Sequence, residues 1–172
     1  MSSYLPGRDR ERRCRRGIVL SLLLFLSALS VPLPVVEISA DDGSPVGRVW
    51  LRETTVVTVS YLHSVERTPV RESYQAGIAG LRLREVKWQS FGAGLPDEYD
   101  NCKDGFYVKR VDVELGRKLE YWFLPLNRVQ VVVGSRVVFE GPAEPSRVTL
   151  RIRYVPVLMV VGSGDVSGPV GS

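Results

Sequence analysis

Between residues 61 and 72 the chain reads Tyr-Leu-His-Ser-Val-Glu-Arg-Thr-Pro-Val-Arg-Glu, and its one histidine, His63, lies there among Glu66, Arg67 and Glu72. A strand ending at His63, a polar connection carrying Pro69 and a second strand from Val70 bring these side chains to adjacent strand ends. Val70, Glu72 and Tyr74 share one face of that second strand. Such a set could bind a cation or small ligand through His63 and the carboxylates, or hold an anion through His63 and Arg67. It could also move protons, with His63 as base and Glu72 orienting it. The structural alternative is a histidine capped by a carboxylate that steadies a strand crossing. Ser64 is no nucleophile for His63, because neighbours on an extended strand point to opposite faces. No Gly-x-Ser-x-Gly elbow surrounds any serine. The sequence assigns no catalytic residue, no metal ligand set and no cofactor.

A second unusual segment is Trp88-Gln89-Ser90-Phe91-Gly92-Ala93-Gly94-Leu95-Pro96, followed by Asp97, Glu98 and Asp100. Glycines two apart allow a close backbone approach, or expose successive N–H groups to an anion. A phosphate loop also needs a lysine and a following helix, and neither is here. The acidic residues lack calcium-loop spacing and read as a solvated face. Phe91 and Leu95 would then pack an irregular loop onto a sheet.

The elements that must carry these segments are strands. Val56–His63 alternates, with Val57, Val59, Tyr61 and His63 on one face. Arg147–Val155 turns Val148, Leu150, Ile152 and Tyr154 inward, and Tyr107–Leu115 opposes Val111, Val113 and Leu115 to Arg110, Asp112 and Glu114. Gly134-Ser135 between two valine-rich runs predicts a hairpin with glycine at the first turn position, as a type II′ turn requires. Ala76–Gly80 and Leu115–Leu119 join two further pairs. Short strands with glycine-marked turns predict an all-β, antiparallel sandwich or barrel-like domain behind one N-terminal hydrophobic helix.

Charge separates the chain into parts. Residues 1–17 hold six arginines against Asp9 and Glu11, whereas from Glu37 onward 17 Lys and Arg balance 17 Asp and Glu. A nucleic-acid-binding domain needs its cationic surplus on the folded unit, so that class is set aside. Gly17–Val36 carries no charge, and about 20 apolar residues suffice to span a bilayer. The expected organisation is a basic cytoplasmic flank at 1–17, a transmembrane anchor or signal sequence at 18–36, an extracytoplasmic β domain at 37–160 and a flexible tail at 161–172. The arginines hold the N-terminus in the cytoplasm and send the β domain out. Anchor and cleaved signal both fit, and Ala28-Leu29-Ser30 is a small-x-small cleavage pattern. Cys14 and Cys102 fall on opposite sides of the membrane in this topology, which excludes an internal disulfide.

The histidine segment, followed about twenty residues later by Ser-Phe-Gly-Ala-Gly-Leu-Pro at 90–96, resembles the family called domain of unknown function 1850. The likeness covers roughly residues 46–100, and the C-terminal third only in general character. Its marked positions fall at His63, Ser64, Glu66, Pro69, Glu72, Phe91, Gly92, Gly94 and Pro96. The resemblance brings no catalytic role. It implies an accessory component of tripartite ATP-independent periplasmic (TRAP) transporters of the TAXI class. The expected partners are the membrane and a transporter membrane subunit or solute-binding protein, contacted through His63, Ser64, Glu66, Arg67 and Glu72 and through Phe91, Gly92, Gly94 and Pro96. One departure from the family pattern is the long, Arg-dense N-terminus at 1–17.

Overall fold

The structure, a computed structural model, describes residues 7–161 apart from Asp42 and Ala93, with side chains described from Gly17 to Met159. The tail at 162–172, residues 1–6 and the Cys14 side chain lie outside the described residues. Helix α1 (Gly7–Leu29) is followed by β1 (Pro32–Ala40), β2 (Ser44–Trp50), β3 (Thr55–Leu62), β4 (Pro69–Gly77) and β5 (Gly80–Trp88). Then come β6 (Asn101–Lys103), β7 (Phe106–Gly116), β8 (Lys118–Phe123), β9 (Val129–Val133), β10 (Arg136–Gly141), β11 (Ser146–Pro156) and α2 (Val157–Val161).

The strands form two sheets, β2-β1-β11-β8 and β10-β9-β3-β4-β5-β7-β6, and the fold is an antiparallel β-sandwich. Alternation along each strand builds the core. Val36, Ile38, Phe123, Val148, Leu150 and Ile152 of the small sheet meet Val57, Val59, Tyr74, Val129, Val131 and Val133 of the large one, all buried. At about 25 cal/mol per Å² of apolar area, each such side chain contributes roughly 1.5–3 kcal/mol over its exposed state. A satellite cluster of Val70, Val86 and Trp88 fills the far half of the large sheet.

The Gly134-Ser135 hairpin joins β9 to β10 with Gly134 at φ 63°, as a type II′ turn demands. Ala76–Gly80 likewise closes β4 on β5, with Gly77 opposite Gly80. Other expectations need correction. The Leu115–Leu119 link joins no hairpin, because β7 and β8 lie in different sheets. Val113 is exposed rather than inward, since the β5–β7 register slips between Leu83 and Glu85 and a bulge re-aims the strand. Tyr154 is exposed too, with Arg117 over its ring.

The uncharged run Gly17–Val36 does not stay helical. Its first thirteen residues complete α1, while Pro32–Val36 opens β1 and sends Val35 and Val36 into the buried interior. No helix among the described residues is long and apolar enough to cross a membrane. The chain divides into two compact units, one reaching Leu33 and resuming at Val155, the other Pro34–Tyr154. The domain boundary expected at Glu37 therefore falls inside a strand.

Glu37 is the first charged residue after the uncharged run. It stands on the opposite face of β1 from Val36 and Ile38, yet is fully buried. Arg48 Nε donates to its Oε2 at 2.7 Å, and Arg151 Nη2 and Arg153 Nη1 reach its Oε1 at 2.7 and 3.3 Å. Burial alone would raise the carboxyl pKa, and the three guanidinium groups outweigh it, holding the group below its ordinary value.

Candidate functional site

Strand β3 ends at Leu62 opposite Pro69, and the six residues between them form a tight turn. The His63 N–H donates to the Thr68 carbonyl at 2.9 Å, and the Arg67 N–H to the His63 carbonyl at 3.0 Å. Arg67 takes a left-handed φ of 56° to close it. The Glu66 N–H donates to His63 Nδ1 at 3.3 Å, so the histidine ring organises its own turn and, when neutral, carries its proton on Nε2. From the opposite side, buried Asn127 braces the end of β3. Its Nδ2 donates to the Leu62 carbonyl at 2.8 Å while its Oδ1 accepts the Leu124 N–H at 2.7 Å.

The second motif comes to this turn. A Cβ placed on Gly92 would lie 2.5 Å from Cγ and 2.7 Å from Oε1 of Glu66, so a side chain there fits only if Glu66 moves. Ser90 Oγ donates to Glu66 Oε2 at 3.4 Å. The two glycines serve different ends. Gly92 leaves room for Glu66, whereas Gly94, at φ 81° with open space around it, supplies a backbone conformation. The Leu95 N–H turns back to the Gly92 carbonyl at 3.1 Å.

Beside this junction stands an aromatic cluster that only its Phe91 member announced in the sequence. Phe91 lies edge-on to buried Trp88 with centroids 6.2 Å apart, 4.6 Å from Tyr107 and 6.2 Å from Tyr99. Phe91 and Tyr99 are 45% and 49% exposed, and Val65 at the turn is 70% exposed. Tyr99 and Tyr107 give no local signal in the sequence, because strand pairing of β6 with β7 is what draws them together.

Glu72 does not join His63. It pairs across the sheet with Val59, four residues back along β3, or about 13 Å at ~3.3 Å per residue. It faces inward, where Tyr61 Oη donates to its Oε1 at 3.1 Å and Tyr74 Oη to its Oε2 at 2.6 Å. Tyr121, from the facing sheet, also donates to Oε2 and touches the Tyr74 hydroxyl. Burial, followed by the nearby Glu72 charge, pushes all three phenols well above the ordinary tyrosine range.

The cation-binding reading therefore loses its ligand set. Among the described residues no three of His, Cys, Asp and Glu come together to hold a metal ion. What remains together is His63, Glu66, Ser90 and Gly92, with Ser64 and Arg67 exposed on the turn and Phe91 and Pro96 on the loop.

No curated protein and no solved structure matches the chain. The match to known families covers every strand of the large sheet and β8, leaving β1, β2 and β11 outside it. It reaches past the region expected from the motifs, into the C-terminal third. Residues 57–139 match the family model described as Domain of unknown function (DUF1850), and this is the family the chain resembles.

Proposed function

We propose that the chain is a non-catalytic, extracytoplasmic accessory domain that assists a TRAP importer of the TAXI type through protein contacts. The observation that carries the contact surface is the seating of Glu66 on Gly92 beside the exposed rings of Phe91 and Tyr99. A close junction with exposed aromatic side chains has the anatomy of a protein-binding patch, since such rings supply contact area at low entropic cost. The transporter context comes from the family resemblance, and the outward address from six arginines ahead of an uncharged run.

The test is affinity purification of a C-terminally tagged chain from gently solubilised native membranes. A TRAP membrane subunit or its solute-binding protein should be recovered at near-equal amount, and should be lost with the doubly substituted Phe91→Ser, Tyr99→Ser chain. Recovery undiminished by those substitutions in a folded variant removes this surface from the reading. Absence of any transporter subunit removes the transporter.

A further inference from the structure

We propose that the chain is processed by a signal peptidase at the Ser30–Val31 peptide bond, an inference that rests on the export half of the function proposed above. Three segments in order carry it. Residues 8–16 supply the arginines, Ile18–Leu26 is a nine-residue uncharged stretch that is apolar but for Ser21, and Ser27-Ala28-Leu29-Ser30 ends with small residues one and three positions before the cut. That order and those lengths are what a secretory leader requires. Thirteen uncharged helical residues from Gly17 to Leu29 extend only about 20 Å at ~1.5 Å per residue, against a hydrocarbon core of ~30 Å.

The change from helix to strand falls at the same point. Helix α1 stops at Leu29, and the exposed Ser30 sits in a closing turn whose N–H donates to the Ser27 carbonyl at 3.1 Å. Pro32, which has no N–H to donate, opens β1. A cut after Ser30 leaves β1 whole. It also leaves Val31 in place, and with it the carbonyl that accepts the Val157 N–H at 3.2 Å. A cut six residues later would strip away Val35 and Val36, both fully buried. In the hydrolysis the Ser30 carbonyl takes the hydroxyl of water, and the departing Val31 nitrogen takes the proton.

The full chain with a C-terminal tag is expressed in a bacterium that has a working signal peptidase, and the product is read by intact mass and N-terminal sequencing. The expected product begins at Val31, and Ala28→Tyr with Ser30→Tyr leaves the full-length precursor. A wild-type chain still carrying residues 1–30, or one cut at another bond, overturns the assignment. Protease added to spheroplasts separates the two layers of the reading. An uncut chain whose β domain is digested from outside sinks the cleavage and leaves export standing, while a protected β domain sinks export as well.

Discussion

The carboxylate-bearing side chain of Glu66 lies over the bare backbone of Gly92, so the two motifs of the chain are complementary halves of one junction. Gly92→Ala would drive a methyl group into Cγ of Glu66, and the glutamate must swing off Ser90 to admit it. The expected loss is about 1–2 kcal/mol, in the range of overpacking. In a Glu66→Ala background the same substitution should be nearly silent, and a double-mutant cycle by urea denaturation reads the difference. Gly94→Ala should cost about 1 kcal/mol in either background, because its penalty is conformational. Equal costs for Gly92→Ala with and without Glu66 would show that the two residues do not meet.

Asn127 is the brace behind the histidine turn. Asn127→Ala leaves the half-buried Leu62 carbonyl and the Leu124 N–H without their Asn127 partner, which should cost about 1–3 kcal/mol. The amides of His63 and Arg67 should then exchange with solvent faster than in the parent chain, ahead of any change in β11. Hydrogen exchange followed by mass spectrometry checks this, and uniform loss of protection across the sandwich would show that the brace is not local.

Glu37 sets the acid limit of stability. Its pKa is depressed in the folded state, so its contribution is fully present above the ordinary glutamate pKa of about 4.3. That contribution is lost as pH falls through the folded value. Glu37→Gln should destabilise the chain at neutral pH by about 1–3 kcal/mol, because three partly exposed arginines lose their charged partner and its hydrogen bonds weaken. The substituted chain should also lose part of the slope of melting temperature against pH below 4. A slope unchanged by the substitution would assign the acid limit to other carboxylates.

The tyrosine box sets the alkaline limit, with the opposite sign. Tyr61, Tyr74 and Tyr121 have raised pKa values in the fold, so their contribution is intact below the ordinary tyrosine value near 10. It falls away as pH rises beyond that value. Phenolate absorbance near 295 nm should therefore show three of the seven tyrosines ionising only together with loss of the far-ultraviolet β signal. Smooth ionisation of all seven while the fold persists would contradict the burial of this network.

Much of this fold was legible because alternation survives wherever a strand has one wet face. Strands β3 and β11 and the Gly134 turn follow directly from it. Parity even put Glu72 on the face of Val70 and Tyr74, both of which are buried. What parity alone does not supply is the facing sheet, and Tyr121 arrives from there to complete the cage. The same limit hid the Glu37 cluster, since Arg151 and Arg153 occupy positions that read as solvated until β1 is laid beside β11. The end of the uncharged run was obscured for another reason. Apolar residues suit a lipid-facing helix and a strand buried in the core equally well, and only the prolines mark where one gives way to the other.

The first and last strands of the sandwich, β1 and β11, lie side by side, and the Arg147 N–H donates to Asp41 Oδ1 at 3.0 Å across 106 residues of chain. The small sheet therefore has no middle until almost the whole polypeptide has been made. A ribosome that has released β1 through β10 has produced one layer of the sandwich and a valine-lined face with nothing to cover it. Pairings so distant in sequence close slowly. Such a chain stays unlocked for as long as its C-terminal strand is still being synthesised, and it closes only once that strand has paired beside β1.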